Sequence, residues 1–196
     1  NLVASSGYVV PHSVVGLPGG LLGVTMIGAA TSDTAPGGVV LINDRTGNFA
    51  SYFGPPPTGR PPGTIGPKYM YDIDGRIEAN RLITTTFGPP ALCGAGLDPT
   101  CLGNEVAVWN ATTRQVIQVA DLGTNSGALE VRFIEKFGVR RALINAAGTS
   151  AVWLADDDDK NGVFDFQQVL GPEDGLLIPA DMVLSYDNKF MYLTNW

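Results

Sequence analysis

The chain of 196 residues carries 25 Gly and 14 Pro, 16% charged residues, 44% hydrophobic residues and a formal charge of −7. That apolar content sustains a buried core and excludes general disorder. An acidic chain poor in Lys is unsuited to non-specific binding of nucleic acid or an anionic membrane, and no apolar run reaches the ~18 residues of a membrane-spanning helix.

Along the chain, short apolar runs alternate with clusters of Gly, Pro, Asn and Asp, without a clean helical stripe. Strands are predicted at 21–27, 38–42, 49–53, 77–85, 105–109, 115–119, 129–134, 141–145, 151–154, 164–169, 182–185 and 190–194. The Pro-rich stretch 54–67 and the segment 88–103 read as surface insertions. A start at Asn1 without Met, and an end at Trp196 inside a strand pattern, read as cut ends.

The strands fall into a recurring phrase. One half is an apolar strand, a turn and a second strand: Val39–Phe49, Val106–Val116 and, with a longer turn, Ala151–Val169. The other half is a hairpin with a charged tip, clearest at Val183–Leu193 and looser at Tyr71–Thr84 and Val131–Ile144. Val108 and Trp153 stand 45 residues apart, whereas Val40 and Val108 stand 68 apart because the insertions intervene. A four-strand unit of about 45 residues is the size of a β-propeller blade. A sandwich or barrel would not require the phrase to recur. The expectation is an all-β partial β-propeller over 1–196, three full blades and part of a fourth. Trp109, Trp153 and Trp196 end similar strands and read as blade-packing aromatics. Gly19-Gly20 and Gly37-Gly38 read as turn glycines, since no helix follows to make a phosphate loop.

Cys93 and Cys101 flank a turn-rich segment that can fold back on itself. A local disulfide is the preferred reading, with two buried free thiols as the alternative. A metal pair fits least, for want of a nearby His or second Cys pair. Asn110-Ala111-Thr112 is an N-glycosylation triplet at a predicted turn. Together these favour an extracellular or secretory-pathway protein.

Residues 156–165 read Asp-Asp-Asp-Asp-Lys-Asn-Gly-Val-Phe-Asp. From Asp157, the oxygens of Asp157, Asp159, Asn161 and Asp165 fall at positions 1, 3, 5 and 9 of a calcium loop, with Gly162 at the sharp turn. Gln168 stands where an EF-hand has its bidentate Glu, and no helix pair flanks the loop. The alternatives are a bound calcium ion between strands and a solvated acidic hairpin tip.

The segment Gly175–Trp196 resembles the selenium-binding protein family, which includes the methanethiol oxidases, at Asp181, Ser185, Asp187, Phe190, Tyr192, Asn195 and Trp196. Leu129-Glu-Val-Arg-Phe133, Glu105–Trp109, Tyr71-Asp72, Gly37–Leu41 and Pro11-His12-Ser13 resemble further family motifs in the same order. The resemblance implies a seven-bladed ring more than twice this length, of which the chain is the middle. Remaining blades or a partner chain would then cover the open arc. It also implies a copper-dependent oxidase turning methanethiol into formaldehyde, sulfide and peroxide. That chemistry needs a redox metal with His ligands. The chain has one histidine, His12. The family pattern has a second His three residues on, where this chain has Val15. His12 is thus either one copper ligand of a shared central site or an ordinary strand or surface residue. Two function classes follow: a diverged thiol oxidase whose metal site is completed outside this chain, and a non-catalytic extracellular propeller for binding or assembly with a calcium-held loop. A propeller lactonase with axial calcium is a third, weaker option. Pairs such as Asp72 and Asp74 have no spacing that singles them out.

Overall fold

The structure is a computed structural model that describes residues 2–29, 32–55, 67–88, 102–134 and 138–195. Among the described residues, a short helix, α1 (Leu2–Ser6), leads into fifteen strands. The first sheet runs β1 (Tyr8–Leu17), β2 (Leu21–Ala29), β4 (Val39–Asn43), β5 (Phe49–Phe53), with β3 (Ser32–Pro36) paired beside β2. The second holds β6 (Met70–Arg76), β7 (Arg81–Thr86), β8 (Glu105–Asn110) and β9 (Val116–Asp121). The third holds β10 (Ala128–Phe133), β11 (Arg141–Ala146), β12 (Ala151–Asp156) and β13 (Asp165–Leu170). The fourth pairs β14 (Pro179–Leu184) with β15 (Met191–Asn195). Every pairing is antiparallel. These are three propeller blades and the inner half of a fourth, as the repeat predicts.

The core lies between blades. In β8, Ala107 and Trp109 enter the cluster shared with Leu17, Val39, Leu41 and Phe53 of the first blade. Their neighbours Val106 and Val108 enter the opposite cluster, with Val131, Phe133 and Ile144 of the third. Successive side chains of a strand point to opposite faces, so a middle strand apolar at every position has a blade on each side. Trp109 is fully buried, meets Phe53 edge-on at 5.0 Å and donates its indole N–H to Thr84 Oγ1 at 2.9 Å. Trp153 packs against the core between the second and third blades. Trp196 lies outside the described residues.

One predicted strand is cut back at its start, and β1 stands where no strand was predicted. Ile77–Ala79 is a 3₁₀ turn ending on Asn80 in the left-handed region (φ 56°), so β7 begins only at Arg81. The inner strand β1 lacked an apolar alternation because five of its ten residues are exposed, His12 among them. Gly19 and Gly20 have φ of 85° and 72° in the β1–β2 turn, as expected of turn glycines. The described residues stop short of most of both insertions.

Candidate metal centre at the inner strands

The strands β1, β6, β10 and β14 neighbour one another from blade to blade, so they are the inner strands. Each carries the same irregularity against its hairpin partner, two residues opposite one. The doubled pairs are His12-Ser13, Tyr71-Asp72, Leu129-Glu130 and Ala180-Asp181. Opposite them stand Thr25, Thr85, Asn145 and Thr194. In each bulge the second residue donates its backbone N–H to that opposite side chain: Ser13 to Thr25 (2.9 Å), Asp72 to Thr85 (3.1 Å), Glu130 to Asn145 (2.5 Å) and Asp181 to Thr194 (2.8 Å). The hydroxyls of Thr25 and Thr85 also donate onward, to the carbonyls of Tyr71 and Leu129 in the following blade. One side chain thus fixes a bulge and ties it to the next.

The bulges bring His12, Asp72 and Glu130 together from three blades, with one ligand atom of each within 4.8 Å of the others. Asp72 is fully buried. Its Oδ2 accepts the Val131 N–H at 2.8 Å and Arg132 Nη1 at 2.5 Å, while Oδ1 has no partner among the described residues. Arg132 Nη2 donates to Glu130. Asp74 accepts the N–H groups of Phe133 and Gly75, each at 2.7 Å. A single guanidinium therefore faces Asp72 and Glu130, with Asp74 on the same strand. The surplus negative charge shows in Glu130, whose pKa is pushed up to about 8, first by burial and then by Asp72, against the pull of Arg132.

The His12 ring stacks on Tyr71 with centroids 3.6 Å apart, and Tyr71 stacks in turn on Phe87 at 5.2 Å. Partial desolvation on its packed side lowers the His12 pKa despite the opposing charges of Asp72 and Asp181, which favours the neutral imidazole that can ligate a metal. Burial, with Glu130, Asp72 and Asp181, raises Tyr71 to about 12. The donor set of one imidazole and two carboxylates, with an orphaned buried oxygen, is of the kind that can hold a metal ion. Val15, where the family pattern has its second His, packs instead against the core between the first two blades.

The other sequence-derived sites lie elsewhere. In the β12–β13 turn, Asp157 is buried, its Oδ1 accepting the Gly162 N–H at 2.9 Å and its Oδ2 facing Arg140 Nη1 at 3.2 Å. Asp159 accepts the N–H and the side-chain amide of Asn161, and Asn161 Oδ1 accepts the Val163 N–H. Arg141 pairs with Asp156 and Asp158. Asp165 stands at the exposed start of β13. Arg140 and Arg141 thus pair with Asp156, Asp157 and Asp158, Asp159 is held by Asn161, and nothing here supports calcium. Asn110 ends β8, its Oδ1 accepting the N–H groups of Thr112 and Thr113. Cys93 and Cys101 lie outside the described residues. Sequence reasoning quoted Asp72 and Glu130 within motifs and gave neither a role; the signal that would have found both is the alignment of the four bulges.

Residues 1–196 match the model of the 56kDa selenium binding protein (SBP56) family. The chain belongs to that family. Among curated members of the selenium-binding group, it is 27% identical over 209 residues to a methanethiol oxidase of Danio rerio, covering 97% of the chain and 43% of the relative. It is 26% identical over 200 residues to a methanethiol oxidase of Hyphomicrobium sp, covering 97% and 44%. The chain thus spans less than half the length of these relatives. In fold it is similar to a hypothetical selenium-binding protein of Sulfolobus tokodaii, with a TM-score of 0.79, 19% identity and coverage of 97% of this chain and 45% of that one. The periplasmic gluconolactonase of Pseudomonas aeruginosa follows with a TM-score of 0.62, 15% identity and coverage of 94% and 50%. As in the sequence reading, the selenium-binding family propeller is the frame within which the bulge cluster sits. No helix among the described residues is long and apolar enough to cross a membrane.

Proposed function

We propose that this selenium-binding family propeller takes part in metal-assisted oxidation of a small thiol such as methanethiol. The observation that carries the reading is the inner-strand cluster of His12, Asp72 and Glu130 with its orphaned Asp72 Oδ1. Copper, when bound there, would supply the one-electron chemistry that couples a thiol to dioxygen. His12, Asp72 and Glu130 would hold it together with ligands from outside this chain. Tyr71 orients the His12 ring by stacking, and Arg132 orients both carboxylates. Burial and Asp72 raise the Glu130 pKa to about 8 in the metal-free protein, so a cation bound there would displace its proton. Beside the cluster, a cleft of about 410 Å³ lined by Asp74, Arg132, Phe133, Leu184, Ser185 and Tyr186 has room for a small substrate.

The test is metal analysis of the purified full protein, with peroxide and sulfide measured on adding methanethiol. The reading expects copper near one per chain and both products, with both lost in Asp72→Asn. A copper-free protein without product would overturn it. Val15, half-buried against the core where the family pattern has a His, favours the second reading, a non-catalytic extracellular propeller used for binding or assembly. That reading expects the copper-free, inactive outcome. Residence in the secretory pathway is part of the proposal. It expects a mass shift on enzymatic deglycosylation, lost in Asn110→Gln, and a Cys93–Cys101 peptide under non-reducing conditions. Unmodified Asn110 with free thiols would remove it.

A further inference from the structure

The chain is acidic, yet four cations gather at the turn end of the seam between the second and third blades. Arg76 ends β6 and Arg81 begins β7, and the two are paired directly across the strands. Like charges opposite one another destabilise a sheet unless something negative answers them. From the third blade come Arg140, just before β11, and Lys160, in the β12–β13 turn. Arg81 reaches that turn: its Nη2 lies 3.0 Å from where a Cβ on Gly162 would stand.

The neighbouring carboxylates leave positive charge over. Arg76 Nη2 meets Glu78 Oε1 at 2.6 Å, but the Glu78 side chain is 52% exposed, and a solvated ion pair is weak. Arg140 Nη1 faces the buried Asp157 at 3.2 Å, and Asp157 also takes the Gly162 N–H. Arg81 gives Nη1 to the Asn80 carbonyl at 3.1 Å, and its buried Nε has no hydrogen-bond partner among the described residues. Neither Arg81 nor Lys160 has a carboxylate partner among those residues. The other acids of the β12–β13 turn, Asp156, Asp158 and Asp159, line a separate cleft with Asp165. A cavity of about 210 Å³ opens at the seam, walled by Arg76, Arg140 and Lys160, with Glu78 as the one carboxylate in its lining. All of these groups belong to two blades that the chain holds whole.

We infer that this cavity binds a small oxyanion, of the class of inorganic phosphate or sulfate, between Arg76, Arg140 and Lys160. A guanidinium fork matches two oxygens of such an anion, and the Lys160 ammonium adds a point charge. An anion held there also answers the opposed Arg76 and Arg81. The site is separate from the inner-strand cluster and stands whether or not that cluster holds a metal.

Calorimetric titration of the full protein with inorganic phosphate, and separately with sulfate, at constant ionic strength against a chloride blank, tests this. Saturable binding of at least one of the two is expected, and the tighter one names the ligand. Lys160 is exposed, so Lys160→Gln leaves the fold intact. It is expected to weaken binding about 10-fold, the scale of one hydrogen bond to a charged group. Lys189→Gln removes an equal charge from the β14–β15 turn and is expected to bind within about twofold of the wild type. No saturable binding of either anion overturns the inference, as does a Lys160→Gln protein that binds within about twofold of the wild type. An equal loss in Lys189→Gln also overturns it, because the attraction is then to net charge and not to a site.

Discussion

Thr85 joins two blades with one hydroxyl. Its Oγ1 accepts the Asp72 N–H at 3.1 Å and donates to the Leu129 carbonyl of the next blade. All three residues are buried, so water cannot replace either bond. In Thr85→Val the methyl fills the space of the hydroxyl, and the cavity cost is small. What is lost is the partner of one buried N–H and one buried carbonyl. Each costs about 1–3 kcal/mol when left unsatisfied, which sums to roughly 2–6 kcal/mol. Thr85→Ser keeps the hydroxyl and gives up one methyl, at about 1 kcal/mol. Urea unfolding of the metal-free full protein measures both. Thr85→Val should also weaken metal binding, because Asp72 is the residue whose bulge it releases. A loss below about 0.5 kcal/mol in Thr85→Val, or an equal loss in Thr85→Ser, would refute the clasp.

Glu130 makes stability depend on pH. Its pKa is raised to about 8 in the folded protein, so between about pH 5 and pH 8 the folded state holds a proton that the unfolded state has released. Stability therefore falls as pH rises through that window. In metal-free protein Glu130→Gln should flatten the fall. The lowered pKa of His12 acts in the opposite sense, so the difference between the two proteins isolates Glu130, and equal slopes would refute the assignment. At Gly37, a Cβ would lie 1.7 Å from the Met26 carbonyl oxygen, a backbone atom that cannot swing aside. Gly37→Ala should cost at least ~3 kcal/mol, at the overpacked end of the usual range. Gly47→Ala, at φ 69° in open space, should cost only about 1–2 kcal/mol. Melting temperatures in the reverse order would refute the contact.

Much of the fold was legible because blades are local. A meander of four antiparallel strands is written consecutively, and Val106–Trp109 is apolar throughout because both faces of a blade are covered. The charged hairpin tip of 183–193 and the turn at Gly19-Gly20 likewise follow from residue types alone. β1 was not legible. Its exposed residues line the axis rather than a core, so they follow no apolar alternation. Ile77 to Ala79 misled for a related reason: an apolar residue beside a strand does not reveal that Asn80 turns the chain.

The sequence by itself determined the all-β repeat, the family and the presence of His12, because these depend on neighbours a few residues apart. The candidate centre was decided by tertiary structure. His12, Asp72 and Glu130 are spread over three blades, and nothing in their spacing joins them. They come together only when strand pairing puts two residues of each inner strand opposite one of its partner. The acidic run 156–159 is the converse case. As sequence it suggests a cation, and in the fold Arg140 and Arg141, at the start of the adjacent strand, pair with Asp156, Asp157 and Asp158. A carboxylate declares its charge in the sequence, but which group answers that charge depends on what folding brings within a few ångströms of it.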